Sequence, residues 1–135
     1  MNQEVIAVQI KLEEEIANLD EQDKKDFLEL EGIKEPALNK IINKGYEILG
    51  LDTFFTAGPN ELRAWTLKRG SLAPQAAGRI HTDFERGFIK AEIISFEDYI
   101  SFGGEAGSKE NGKLRLEGKD YIFKDGDIAH FKFNV

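Results

Sequence analysis

The sequence contains no cysteine, and this absence excludes disulfide bonds and any chemistry that depends on a thiolate. It also contains no apolar run long enough to cross a bilayer. No basic residue precedes the first apolar segment, Val5 to Val8, so we expect no signal peptide. Together these absences predict a cytoplasmic protein that makes no contact with a membrane.

Catalytic motifs are absent as well. The sequence has no G-x-S-x-G nucleophile elbow, and no cysteine is present to act as a nucleophile. Carboxylates are plentiful, but runs such as Glu13-Glu14-Glu15 are typical of a solvated helix face. We therefore expect no catalytic residue in this chain.

One segment comes close to a nucleotide-binding motif. Residues 107–113 fit the phosphate-loop pattern G-x-x-x-x-G-K, but Leu114 stands where the motif needs Ser or Thr to ligate magnesium. The motif also requires a strand before it and a helix after it, whereas the residues after Lys113 predict a strand. We interpret the segment as a glycine-rich turn.

A second segment carries alternating metal-ligand types. His81, Asp83 and Glu85 are spaced at every other position, but zinc sites usually need three or four ligands dominated by histidine or cysteine. The only other histidine is His130. We expect no metal site; instead, His81 should end a helix and bond its free carbonyl groups, and Asp83 should shape the turn.

The negative charge is concentrated in the first third of the chain. The net charge is −7, with a balance of −6 over residues 1–50 and −1 over residues 51–135. A hydrophobic content of 41% indicates a globular protein. Because phosphate contacts need local positive charge, the acidic part is not expected to bind nucleic acid, and no DNA binding is expected.

Residues 1–50 predict one short strand followed by three helices. The strand covers Val5 to Ile10 and has no partner strand nearby in sequence. The first helix follows from Leu12, Asp20 caps the second, and the third restarts at Pro36. The third helix is expected to end at Gly50 and to bury one stripe, formed by Leu38, Ile41, Ile42, Gly45 and Leu49.

From residue 51 the hydrophobic period changes from helical to alternating. Strands at 52–57 and 61–67 flank a Gly58-Pro59-Asn60 turn, a helix covers 73–81, and Ile89, Ala91 and Ile93 line a strand with one wet face. A short helix is expected at 96–102 and a loop or helical turn at 105–112. In the last strand, Ala129, Phe131, Phe133 and Val135 should face one side of the sheet, and Ile128, His130, Lys132 and Asn134 the other. This order predicts an α+β fold.

The segment from 62 to 82 combines basic residues with the only tryptophan. It contains Arg63, Lys68, Arg69 and Arg79 but no acid, and Arg86 and Lys90 follow closely. Such a pattern can hold a phosphate backbone and stack a base on Trp65. Alternatively, Trp65 and Leu67 face the core together, and the basic residues keep a sheet edge soluble. Both interpretations remain open on charge pattern alone.

Seven segments with distinctive sequences stand in order in the second part of the chain, at 51–58, 61–66, 73–78, 80–89, 114–121, 125–127 and 131–135. In this order they closely resemble the C-terminal end of the YchF-type Obg-like ATPases, also called EngD, in the P-loop GTPase superfamily. The resemblance covers the chain from about Ile33 to Val135.

This resemblance implies a domain organisation. Residues 51–135 look like the family's TGS domain, a β-grasp (ubiquitin-like) fold, and residues 1–50 look like the end of its nucleotide-binding domain with connecting helices. Residues 3–11 would then be an orphan strand that has lost its sheet, which is an association hazard. The family's ATP or GTP and magnesium are held by parts without a counterpart here, so no cofactor and no nucleotide hydrolysis are expected of this chain.

The resemblance further implies a role in a ribosome-associated, nucleotide-dependent ATPase or GTPase, with the TGS part binding RNA or the ribosome. The implied contact residues are Arg63, Trp65, Lys68, Arg69, Arg79, Arg86, Lys90, His130 and Lys132. The alternative is a protein-interaction or intramolecular regulatory module that packs on the nucleotide-binding domain.

Overall fold

The computed structural model describes residues 3–59 and 61–134, so the predictions made for Asn60 and Val135 lie outside the described residues. The chain divides into two compact units, Met1–Leu49 and Gly50–Val135. In the described residues no helix is long and apolar enough to cross a membrane.

Residues 3–49 of the first unit form three helices, and local signals define most of their ends. They are α1 Ile10–Ala17, α2 Glu21–Leu30 and α3 Ala37–Leu49. Asp20 caps α2 as predicted, because its carboxylate accepts hydrogen bonds from the backbone N–H groups of Gln22 and Asp23 at 3.0 and 2.9 Å. Gly32 and Gly50 follow α2 and α3 with φ of 66° and 62°, a conformation that glycine adopts without steric cost.

The strand predicted at 5–10 is wrong. Residues 3–9 have no regular secondary structure, α1 already begins at Ile10, and Val5 is 88% exposed. A strand gains its hydrogen bonds from a neighbouring strand, and no described residue pairs with this segment. Glu4 instead forms an ion pair with Lys44 of α3.

The buried stripe predicted for α3 is also wrong. The stripe residues Leu38, Ile41, Ile42 and Leu49 are all exposed, and a Cβ added at Gly45 would meet nothing within 4 Å. The apolar period is real, but it creates burial only where another element covers it. We call this face, formed by Leu38, Ile41, Ile42 and Leu49, the α3 stripe.

Among its described residues, the second unit has five strands and four short helices. The strands are β1 Leu51–Ala57, β2 Leu62–Lys68, β3 Phe88–Ile94, β4 Arg115–Glu117 and β5 Ile128–Phe133. The helices are α4 Ala73–Ile80, α5 Thr82–Arg86, α6 Phe96–Ser101 and α7 Glu105–Glu110. The hairpin, the helix at 73–81, the short helix at 96–102 and the last strand are therefore confirmed within one or two residues.

The five strands form one mixed sheet in the order β2-β1-β5-β3-β4. Only β1 and β5 run parallel, and the other neighbours are antiparallel. The β1–β2 register places Phe54 opposite Trp65, and β2 lies at one edge of the sheet. The chain thus combines helices with a five-stranded mixed sheet.

The core lies between α4 and one face of this sheet, which we call the helix face. Helix α4 presents Ala73, Ala76 and Ala77, all fully buried, and these small side chains let the helix approach the strands closely. Phe54 is also fully buried, and its ring packs edge-on against Phe123 with centroids 5.1 Å apart.

One prediction about an individual core position, that of Ile89, needs correction. Ile89 does not share the buried side of Ala91, because the register of β3 and β5 shifts between Phe88 and Lys90 and leaves Ile89 55% exposed. Phe133 lies at the rim of the core and is 36% exposed. Its ring stacks on the ring of Phe84, with the two centroids 3.8 Å apart.

Candidate functional site

The nine predicted contact residues fall into three groups. Five follow β2 and the helix that packs beside it: Arg63, Trp65, Lys68, Arg69 and Arg79. Three lie in β3 and β5 on the side of the sheet that faces away from α4: Lys90, His130 and Lys132. Lys68 also points to that side, because it alternates with Trp65 and Leu67 along β2. The last, Arg86, belongs to α5, where its side chain is 79% exposed and stands 4.0 Å from Asp83.

Trp65 is held in a fixed position at the edge of the core. Its Nε1 donates a hydrogen bond to the Thr56 hydroxyl at 2.9 Å, and its ring stacks on Phe54 with centroids 6.4 Å apart. The Arg63 guanidinium lies over the same ring, 4.4 Å from its centroid. Trp65 and the buried Leu67 share the helix face, so the core interpretation describes part of the role of this tryptophan.

Two arginines near β2 are anchored to the protein itself. The Nε of Arg69 donates to the Asp52 carboxylate at 3.1 Å, and Asp52 is only 7% exposed, so Arg69 neutralises a buried charge. The Nε of Arg79 reaches from α4 to the backbone carbonyl of Thr66 at 2.8 Å. That carbonyl lies on the open edge of the sheet, so Arg79 fastens α4 to the edge strand.

The opposite side of the sheet, which we call the second face, carries a small charged cluster. Lys132 stands 3.6 Å from Glu92 and 3.4 Å from the Nε2 of His130. In the β3–β5 register Lys90 is the neighbour of Lys132, and Glu92 is the neighbour of His130. The Lys132 ammonium therefore lies close to one carboxylate and one imidazole, and Lys90 is its register neighbour on the adjacent strand.

The three groups do not form one patch. Lys68 pairs with Leu51 at the beginning of β1, whereas Lys132 lies four residues past Ile128, the partner of Phe55. At about 3.3 Å per residue, this register separates Lys68 from Lys132 by about 25 Å along the strands. A single ligand contact made by all nine residues would have to wrap around the sheet.

The segment that resembles a phosphate loop has the opposite geometry to that motif. Helix α7 precedes Gly112, which has φ of 69°, and β4 follows at Arg115. A phosphate loop leads from a strand into a helix, whereas here a helix leads into a strand. Ser108 is fully buried and its hydroxyl donates to the Asp98 carbonyl at 3.3 Å, so this residue has a structural role.

The segment considered for metal binding forms a helix boundary. His81 lies between α4 and α5, and its Nδ1 accepts a hydrogen bond from the Asp83 N–H at 3.1 Å, where bonding to free carbonyl groups had been predicted. Across residues 3–59 and 61–134, no three His, Cys, Asp or Glu side chains gather closely enough to hold a metal ion.

The sequence did not indicate one polar network, which lies just before β5 and is centred on Asp127. Asp127, 2% exposed, accepts hydrogen bonds from the Tyr121 hydroxyl at 2.7 Å and from the Lys124 N–H at 3.0 Å. Burial and the bond to Asp127 raise the pKa of Tyr121 to about 12. Arg115 contacts the same hydroxyl at 3.2 Å. The only sequence signal was the Asp125-Gly126-Asp127 turn, which does not indicate the distant arginine.

Comparison with known proteins adds a family to this geometry. A family model named YchF-GTPase_C, described as a protein of unknown function (DUF933), matches residues 51–134. The chain belongs to the YchF-GTPase_C family. The matched residues contain the whole sheet, with β2 and the second face, so the YchF-GTPase_C part carries all nine contact candidates.

Individual relatives agree with this membership. The chain is 58% identical over 131 residues to the "Ribosome-binding ATPase YchF" of Haemophilus influenzae, covering 97% of the chain and 36% of that protein. It is 52% identical over 124 residues to "Obg-like ATPase 1" of Gallus gallus, covering 92% of the chain and 31% of that protein. The solved YchF GTPase structure from Schizosaccharomyces pombe superimposes with a TM-score of 0.78 at 38% identity, covering 93% of this chain and 33% of that one.

The chain thus spans about a third of the length of the curated relatives it matches. The resemblance to the C-terminal part of the YchF-type ATPases, expected from the sequence motifs, is confirmed.

Proposed function

We propose that this chain serves a YchF-type, nucleotide-dependent NTPase as its ribosome-binding part, through RNA contacts made by the sheet unit. The support is the name of the H. influenzae relative, a ribosome-binding ATPase, together with the exposed cations on residues 62–90. We further propose that the sheet unit is a TGS domain with a β-grasp fold, since one helix packs across a mixed sheet in which β1 and β5 are parallel.

The observation that carries the RNA-binding proposal is the balance of charges in the sheet unit. Arg63, Lys68 and Lys90 are exposed, and the described residues form no ion pair with them. Cations of this kind can replace the counterions of a phosphate backbone, whereas Arg69 is already committed to Asp52. Ribosome binding should therefore depend on salt.

The test is sedimentation of the chain with ribosomes across a salt series. The variant Arg63→Gln, Lys68→Gln, Lys90→Gln should bind at least tenfold more weakly and with a shallower salt dependence. Its matched control is Lys25→Gln, Lys34→Gln, Lys40→Gln, which removes the same charge from exposed positions of the first unit. If both variants cosediment with ribosomes as strongly as the unaltered chain does, RNA contact by the sheet unit is refuted.

A second candidate function rests on the α3 stripe. Four apolar side chains at 45 to 70% exposure form one helix face, and a face of this kind is characteristic of a protein docking surface. We propose as the alternative that this chain packs on the nucleotide-binding domain and regulates it. The part of the H. influenzae relative that lies outside its match to this chain can be expressed separately and used to capture the chain. Ile42→Asp should abolish this capture, and Asn43→Asp on the same helix should not.

A further inference from the structure

Arg63 and Trp65 form a layered pair at the edge of the sheet. The guanidinium carbon lies 4.4 Å from the ring centroid, and the ring is held in place by its stacking contact with Phe54 and by its hydrogen bond to Thr56. A base cannot stack on the ring face under Arg63 without displacing the guanidinium. A base can, however, stack on the guanidinium plane itself, since proteins use arginine planes as well as aromatic rings for this purpose.

Arg79 provides a second fixed group on the same side of the sheet. Its Nε is committed to the Thr66 carbonyl, and a guanidinium carries four more N–H donors on its two terminal nitrogens. These donors match the oxygens of a phosphate group. Thr66 lies three residues along β2 from Arg63, or about 10 Å. A stacking plane and a phosphate-binding fork therefore stand next to each other along one strand.

We propose that Arg63, Trp65 and Arg79 form a binding site for single-stranded RNA. An unpaired base stacks on the Arg63 guanidinium, which Trp65 supports from below, and Arg79 binds a backbone phosphate. Single-stranded RNA is required because a base inside a duplex is already stacked on its neighbours. This assignment rests on the proposed RNA contact and specifies the form of RNA and the part of the sheet involved.

One nearby charge opposes this ligand and provides a sharp test. Glu61 is exposed and lies two residues before Arg63, so its carboxylate repels a phosphate backbone at the same place. Removing that charge should tighten RNA binding. Misfolding or general damage to the protein would weaken binding, so a gain of affinity points to this site.

The experiment measures fluorescence anisotropy of a labelled oligouridylate, which does not pair with itself, titrated with the 135-residue chain. Arg63→Ala should weaken binding about tenfold, the size of one lost base stack. Arg63→Lys keeps the charge but removes the plane, and should weaken binding several-fold. Arg79→Gln should lower the salt slope by about 0.7, and Glu61→Gln should tighten binding.

Lys109→Gln and Lys119→Gln are the matched controls, because each removes one exposed charge of the sheet unit outside the predicted contact residues, and neither should change oligouridylate affinity. Because Trp65 is the only tryptophan and lies directly beneath Arg63, a change in its emission on RNA addition reports binding at this edge of the sheet. Wild-type affinity of Arg63→Lys, or equal affinity for an RNA duplex of the same length, would overturn the assignment.

The ribosome sedimentation assay separates this assignment from the proposed function. If Lys90→Gln and Lys132→Gln lose ribosome binding while Arg63→Ala keeps it, RNA contact by the sheet unit stands and the β2 site falls. If no variant of either group changes sedimentation, both fall.

Discussion

Replacing Gly87 by alanine should destabilise the sheet unit through one backbone contact. A Cβ built at Gly87 would lie 2.1 Å from the carbonyl oxygen of Asn134 and 2.8 Å from its carbonyl carbon. Both are backbone atoms, so no side-chain rotation can relieve the overlap. The end of β5 must move away, and this breaks the 2.8 Å hydrogen bond from the Asn134 N–H to the Gly87 carbonyl.

The expected cost combines three contributions. Overpacking of this kind typically costs about 1–3 kcal/mol, and the lost hydrogen bond about 1 kcal/mol. The added Cβ also lowers the conformational entropy of the unfolded chain, which stabilises the folded state by about 0.4–1 kcal/mol. This gain applies because φ at Gly87 is −90°, a value that alanine adopts without strain. We expect a net loss of about 2 kcal/mol in the free energy of unfolding.

The assay is urea unfolding followed by the emission of Trp65, which lies in the sheet unit and is the only tryptophan. The matched control is Gly118→Ala, because a Cβ there would meet nothing within 4 Å and its φ is not in the left-handed region. That variant should be neutral or slightly more stable. If Gly87→Ala unfolds at the same urea concentration as Gly118→Ala, the close approach of Asn134 to Gly87 is not part of the solution structure.

Three further predictions concern other parts of the chain. The pKa of Tyr121 is raised from 10.0 to about 12, so between these pH values the folded state keeps a proton that the unfolded state loses. The free energy of unfolding should therefore fall as the pH rises from 10 to 12. Tyr121→Phe should show a smaller drop in the urea midpoint between pH ~8 and pH ~11 than the unaltered chain. Gly45→Ala should raise the melting temperature of the helical circular dichroism signal, since alanine stabilises a helix interior by about 1 kcal/mol and the site has open space. Rigorously purified chain should hydrolyse neither ATP nor GTP in a phosphate-release assay, and turnover that copurifies with the chain through successive columns would contradict this.

Features encoded in neighbouring residues could be predicted from the sequence. Asp20 caps α2, Gly32 and Gly50 end helices, and the change of period after residue 50 marks the sheet unit, because each signal acts through hydrogen bonds or dihedral angles a few residues away. The hairpin of β1 and β2 belongs to the same class, since its strands are adjacent in sequence.

Features that depend on a distant partner could not be predicted in the same way. The apolar residues at 5–10 have strand-like composition, but a strand exists only where another strand accepts its hydrogen bonds. The α3 stripe has the correct helical period, but exposure depends on what covers it. The bulge beside Ile89 arises from the β3–β5 register, which joins residues about forty positions apart.

Trp65 packs against the core, as one of the two interpretations of its sequence context holds, and in the proposed site it supports Arg63 instead of stacking on a base itself. Ordering a free arginine side chain costs up to about 2 kcal/mol of rotamer entropy, which a ligand would otherwise have to supply on binding. The contact of Arg63 with the Trp65 ring offsets about 0.5–1 kcal/mol of that cost in advance, as is typical of exposed cation–π pairs. The ring can do this only because Phe54 and Thr56 hold it in place. Packing of Trp65 against the core is therefore the physical reason that an exposed arginine at this edge holds a fixed plane, which is what the proposed stacking of a base requires.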